Sequence, residues 1–228
     1  MRIQKYLSEK GIMSRREAER AILAGKISVN GKVVTNLATQ IDGVKDKVRV
    51  VDVPGKSMTI ALNKPRGIVS GRNRNEGKTI FNILPAKFSF LNAVGRLDKE
   101  SEGLLLLSDD GIVTRAVTGE DHLIEKEYEV RVREPLKPRY IRKMEEGVQL
   151  EDGKTLPAEA EMLGEYAFRI VLKEGRKHQI RRMAAKFGLT ILELKRVRIG
   201  NIRLGNLRPG EYKDLSGKEV DSLKILAK

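Results

Sequence analysis

The residues with the clearest chemical potential stand in "NAVGRLDKESEGLLLLSDDG", residues 92–111. Asp98 lies between Arg96 and Lys99, shortly before Gly103 and a run of leucines. A carboxylate in cationic company stays ionised at neutral pH, which suits nucleophile or base work rather than proton donation. Gly95 and Gly103 bracket the segment as flexible hinges, and Leu104–Leu107 offers a rigid strand from which a loop can present a side chain. Ordinary surface charge is the plainer reading, and the neighbouring acids fit it. Asp109-Asp110-Gly111 reads as a β-turn, and Glu100 and Glu102 as loop charges.

A second concentration of charge is "KEGRKHQIRRMAAKFGLTILELKRVR", residues 173–198. Arg176, Lys177, Arg181 and Arg182 lie on or before a helical pattern whose apolar positions are Ile180, Met183, Ala184 and Phe187. Arg181 follows Ile180 and stands at the edge of that apolar face, where a guanidinium can be drawn into a cleft. A buried charge needs a partner, and Asp98 is the natural one. At about 4 Å and a near-surface dielectric the pair gains roughly 4 kcal/mol before desolvation. His178 can bond a backbone group or a phosphate, and a structural role for it competes evenly with chemistry. Tyr128 shares one face of "KEYEVRVRE" with Val130 and Val132, and by itself is a half-buried aromatic.

These side chains need elements to hold them. Residues 1–52 read as a small module. "IQKYLSEKG" makes a short helix with Ile3, Tyr6 and Leu7 on one face and Gly11 as its stop. In "SRREAERAILAGK", Ser14 and Glu17 have capping-box spacing, and Ala18, Ala21 and Ile22 form the apolar stripe. "ISVNGKVV" is a hairpin around Asn-Gly, and "KVRVV" a further strand. Arg15 and Arg16 sit at a helix amino end, against the dipole preference, so a phosphate ligand explains them. Pairing with Glu17 and Glu19 on an exposed face is the alternative. Pro-Gly marks residues 53–58 as a linker. Residues 59–228 read as a strand-rich α+β domain with a mostly antiparallel sheet and few helices, and Pro65 ends or edges its first strand.

Composition narrows the function. The chain has 228 residues, with 45 Lys+Arg against 31 Asp+Glu and a formal net charge of +14. That imbalance favours polyanionic partners, nucleic acid first. No cysteine is present, which excludes disulfides and thiolate zinc sites. The two histidines, His122 and His178, do not build a transition-metal site by themselves. No apolar leader and no long uncharged apolar window occur, so a cytoplasmic protein without a membrane partner is expected.

"SRREAERAILAGKISVNGKVV" resembles the S-four-type RNA-binding module first described in a ribosomal small-subunit protein. The resemblance implies RNA contacts by Arg15, Arg16 and Lys26, with Arg20 on the same helix. The segments "LNKPRG", "VGRLDKESEGLLLLSDDG", "KEYEV", "EGRKHQIRRM" and "LKRVRIG" resemble the RsuA-like family of pseudouridine synthases, which act on ribosomal RNA. That likeness implies Asp98 as the catalytic aspartate, Tyr128 as the ring that stacks on the target uracil, and Arg181 as the arginine paired with the aspartate. It also implies Leu194 as a pocket residue. Arg96 is grouped with the substrate-binding residues, and Arg176, Lys177 and Arg182 with those facing RNA. Ser101 replaces a threonine frequent in the family and keeps its hydroxyl. The implied reaction converts a uridine to its carbon-linked isomer without redox change or group transfer, hence with no cofactor. The expected partner is ribosomal RNA, large subunit favoured and small subunit open, or an assembling particle, met by a monomer. Two rivals remain: a non-catalytic RNA-binding or ribosome-assembly protein, and a glycosylase using Asp98 with Glu100. The second wants one carboxyl of raised pKa, which a basic neighbourhood opposes.

Overall fold

The computed structural model describes residues 1–50, 57–119 and 123–225. In the amino-terminal module, α1 (Ile3–Glu9) and α2 (Arg15–Leu23) share a core with β1 (Ile27–Val29), β2 (Lys32–Val34) and β3 (Val48–Val50). The three strands pair antiparallel in the order β2-β1-β3. The capping box forms: Oγ of Ser14 accepts from the Glu17 amide at 3.2 Å, and Oε2 of Glu17 accepts from the Ser14 amide at 2.7 Å. Asn30 and Gly31 both take positive φ, at 51° and 82°, as the two-residue hairpin turn requires. Ile3, Leu7, Ala18, Ala21, Ile22 and Ile27 are buried together, so the periodicity of both helices is realised.

The larger part begins with β4 (Thr59–Lys64), β5 (Asn92–Val94), β6 (Glu102–Ser108), α3 (Gly111–Thr118), β7 (Lys126–Val132) and α4 (Pro138–Glu145). A small hairpin follows, β8 (Gln149–Leu150) and β9 (Gly153–Lys154), and then β10 (Glu159–Gly164), β11 (Ala167–Leu172) and α5 (Gln179–Ala185). The chain continues through β12 (Ile191–Ile199), β13 (Ile202–Arg203), β14 (Tyr212–Asp214) and α6 (Gly217–Ile225). Nine strands make one sheet, ordered β10-β11-β7-β12-β6-β4-β14, with β13 on β12 and β5 on β6. Among the described residues its pairings are antiparallel except that of β12 with β6, where Arg196 stands opposite Gly103. Pro65 follows β4 directly and ends it.

Two expectations change. Asp109-Asp110-Gly111 is a strand-to-helix junction rather than a free β-turn. Oδ1 of Asp110 accepts from the Ile112 amide at 2.8 Å and caps α3, while its Oδ2 lies 2.6 Å from Nζ of Lys224 on α6. The sequence "GIVTRAVT" of α3 is rich in β-branched residues, which hides a helix from propensity. Gly103 is not a hinge. It lies within β6 at φ +98°, and a Cβ there would come 2.3 Å from the Arg196 carbonyl oxygen, so it marks a close approach of two central strands. Most of the expected linker, and His122, lie outside the described residues.

Candidate active site

The loop that carries Asp98 connects β5 to β6 and is fastened through its backbone. Nη2 of Arg196 donates to the Gly95 carbonyl at 2.6 Å, while its Nε donates to that of Leu104 at 2.8 Å. Oγ of Ser70 donates to the Leu97 carbonyl at 2.6 Å and accepts from the Leu97 amide at 3.1 Å. The Gly67 amide donates to the Lys99 carbonyl at 2.8 Å, and Nζ of Lys64 approaches the same oxygen at 3.4 Å. Nη2 of Arg181 donates to the Glu100 carbonyl at 3.1 Å and reaches Oγ of Ser101 at 3.4 Å. Leu97 points inward, buried among Ile60, Leu62 and Leu105. Asp98, the next residue, is part-exposed and lines the cleft.

The Asp98 carboxylate does not pair with Arg181. Its side-chain partner among the described residues is His178, whose Nδ1 lies 2.9 Å from Oδ2. Helical phase places Arg181 at the edge of the apolar face as expected, but that edge meets the carbonyl of Glu100 and the hydroxyl of Ser101 rather than the carboxyl. His178 gains its reach from an unusual backbone. It precedes α5 with φ 52° and ψ 29°, in the left-handed region, and its side chain makes no capping bond. For a residue with a Cβ that conformation costs about 1–2 kcal/mol.

Asp98 and His178 open onto a cleft of about 1250 Å³, also lined by Tyr128, Leu194, Arg96, Arg176 and Lys177. Tyr128 is half-buried between two core clusters, opposite Arg196 on β12, and Leu194 is buried. Arg96 and Lys177 are exposed. Arg181 and Arg182 stand outside this lining. Arg182 is held bidentate by Asp152 at 2.8 and 3.0 Å, and Arg176 is engaged by Glu174 at 2.9 Å and by the Gly153 and Lys154 carbonyls. Both guanidiniums brace the turn between β8 and β9 rather than standing free for phosphate. Glu100, the second carboxylate that a glycosylase would need, binds Arg66 at 2.9 Å, and that hydrogen bond holds its carboxyl below the ordinary value.

Sequence reasoning missed three buried cations behind the Asp98 loop: Lys64, Lys126 and Arg196. Strand parity points to two of them, since Lys126 is in phase with Tyr128 and Val130, and Arg196 with Leu194. None forms an ion pair with an acid among the described residues. Burial lowers the pKa of Lys126 to about 8, with the charge of Arg196 adding to it. Burial likewise lowers Lys64 to about 8, against the opposing pull of Glu100, Glu102 and Asp98. The ordinary value is 10.5, so between pH 8 and 10.5 the unfolded chain holds protons that the folded amines have released. Stability therefore rises with pH across that window, by about 3 kcal/mol per lysine at most. Lys126→Met removes its share. The stability difference between variant and wild type, from urea unfolding, should move by ~2–3 kcal/mol in favour of wild type between pH 7 and pH 10. A constant difference overturns the assignment.

In the amino-terminal module, Arg15, Arg16 and Arg20 are exposed or nearly so and form no ion pair among the described residues, while Lys26 is half-buried. Glu17 is committed to the capping box, so one of the two acids expected to neutralise that helix face is already occupied by backbone.

A small basic module beside a mixed sheet, with a braced aspartate, a tyrosine and a leucine around one cleft, fits an enzyme that acts on RNA. A family model described as RNA pseudouridylate synthase matches residues 58–186, and one described as S4 domain matches residues 1–48. Ribosomal large subunit pseudouridine synthase B of Bacillus subtilis (strain 168) is 34% identical, covering 99% of this chain and 96% of its own. Dual-specificity RNA pseudouridine synthase RluF of Escherichia coli (strain K12) is 38% identical, covering 99% and 79%. A crystal structure of pseudouridylate synthase superposes with a TM-score of 0.73 at 32% identity, covering 98% of this chain and 99% of the other. The chain belongs to the RNA pseudouridylate synthase family and carries an S4 domain at its amino end.

Proposed function

We propose that the protein isomerises a uridine of ribosomal RNA to pseudouridine in the cytoplasm, with Asp98 as its catalytic group and large-subunit RNA as its substrate. The observation that carries this reading is the placement of Asp98. It is half-exposed on the wall of the cleft that Tyr128 and Leu194 also line, on a loop whose backbone is fastened at Gly95, Leu97, Lys99 and Glu100. The target base must leave the helix stack to enter such a cleft, at a cost of a few kcal/mol. Stacking on Tyr128 returns about 1–3 kcal/mol of it. Asp98 then acts on the nucleotide, at the ribose or at the ring, and the N1–C1′ bond breaks. The uracil turns and rejoins through C5. The C5 proton is released, N1 gains one, and the atoms balance without any redox step. The large-subunit preference draws support from the name of the Bacillus relative.

The test uses purified protein and ribosomal RNA transcripts of both subunits. Carbodiimide-dependent stops of reverse transcription should appear at a discrete uridine of the large-subunit RNA, with product mass unchanged. Stops confined to small-subunit RNA overturn the subunit assignment. Binding without stops leaves the non-catalytic reading, and loss of base mass a glycosylase.

The S4 domain supplies sequence-independent grip. Replacing Arg15 or Arg16 with alanine should reduce the slope of log K against log salt by about 0.7 for each phosphate no longer neutralised, as for single-stranded RNA. An unchanged slope in filter binding removes that side chain from the interface.

A further inference from the structure

We infer that His178 is a positioning residue that holds the Asp98 carboxylate in its working orientation, an inference that rests on the assignment of Asp98 as the catalytic group. The contact spans 80 residues of sequence and is short, with Nδ1 of His178 2.9 Å from Oδ2 of Asp98. It is not a by-product of core packing, because the side chains are 46% and 36% exposed.

His178 is the third residue of a turn closed by the Gln179 amide on the Arg176 carbonyl at 3.2 Å, a position that usually takes Gly or Asn. Among the described residues the other non-glycine residue at positive φ is Asn30, which the hairpin turn demands. Residue 178 occupies the amino-cap position of α5, where Ser, Thr, Asp or Asn would satisfy a helix amide. His178 makes no such bond, and the Arg176 amide donates instead to Oε1 of Gln179 at 3.1 Å. A strained residue that does not cap is thus found where the left-handed turn aims its ring at the β5–β6 loop. Backbone strain of this kind persists where surrounding structure enforces it, and it clusters at functional sites.

The chemistry of the contact follows from its partner. A carboxylate only accepts hydrogen bonds, so Nδ1 carries the proton and the tautomer is fixed. Oδ2 is thereby anchored. Oδ1 makes no hydrogen bond among the described residues and is the free oxygen of a side chain that lines the cleft. The backbone bonds to Arg196, Ser70, Lys64 and Arg181 fix where the loop is, but they leave χ1 and χ2 of Asp98 open. His178 is the group that closes those two torsions, and such preorganisation is worth orders of magnitude in rate when the reacting atom must be placed to within an ångström.

Three variants separate this from a structural role. In His178→Gly the left-handed backbone is relaxed and the donor is gone. The variant should melt at or above the wild-type temperature and bind RNA within about threefold, with kcat down roughly 10–100-fold and KM little changed. His178→Asn tolerates the same backbone and offers an amide N–H, so it should recover kcat to within about fivefold of wild type. A wild-type kcat for His178→Gly overturns the inference, as does an Asn variant no better than Gly. Asp98→Asn, assayed alongside, isolates the underlying assignment. If it retains turnover, Asp98 is not the catalyst; if it is inactive while His178→Gly is fully active, only the positioning role falls.

Discussion

Asp98→Asn abolishes turnover, by about 10⁴-fold or more in single-turnover assays, and leaves RNA affinity within about threefold. The side-chain volume is kept and the charge is removed, so a group able to act as nucleophile or base becomes a neutral amide. Among the described residues the carboxyl group bonds His178 alone, and an Asn side chain keeps an oxygen that can accept that bond. The loop is anchored by the carbonyls of Gly95, Leu97, Lys99 and Glu100 and by the Leu97 amide, all of which survive the exchange. RNA binding draws on a chain of net charge +14, to which removal of one acid adds slightly. A variant that forms pseudouridine at near the wild-type rate would sink the assignment, and one that fails to bind RNA would show that the carboxylate organises the cleft instead.

The second large effect concerns stability. Gly103→Ala places a methyl group 2.3 Å from the carbonyl oxygen of Arg196 and 2.8 Å from its amide nitrogen, at a φ of +98°. Both obstacles are backbone atoms of the neighbouring central strand, so neither can swing aside. The dihedral alone costs about 1–3 kcal/mol, and forcing β6 from β12 brings the total to about 4 kcal/mol or more. For a chain of this size that lowers the melting temperature by roughly 8–16 °C. Gly67→Ala is the control, because its φ is +80° but a Cβ there meets nothing within 4 Å. It should lose only about 1–2 kcal/mol. Equal losses in the two variants would show that the dihedral, and not the close approach of the strands, governs Gly103.

Local signals carried the legible part of the fold. The capping box of α2, the Asn30-Gly31 hairpin, the alternation of β7 and the stripe Ile180, Met183, Ala184 each rest on residues within a few positions of one another. The α3 helix was hidden because Ile112, Val113, Thr114 and Val117 favour strand, and its capping Asp110 also suits a turn. Sheet order was beyond reach, since β12 pairs with strands some 60 to 90 residues earlier and only the three-dimensional path decides which.

The candidate site divides along the same line. Asp98, Tyr128 and Leu194 meet at one cleft, as family likeness implied and as parity on β7 and β12 allows. Which side chain reaches the carboxylate was not legible. Arg181 and His178 lie one helical turn apart, and the choice between them turns on a single left-handed residue that no periodicity announces. The buried cations were half visible. Lys126 and Arg196 follow from alternation once inward-facing parity is accepted for charged residues, which burial statistics discourage.

The position of β12 bears on when the protein becomes an enzyme. β12 is the last of the long central strands to be translated, yet it enters between β7 and β6, both made much earlier. Until it has left the ribosome, Gly95 lacks its guanidinium clamp, Leu194 is missing from the pocket wall, and the two halves of the sheet have no seam. A nascent polypeptide that ends before β12 therefore lacks that clamp, that wall residue and the strand that joins the two halves of the sheet.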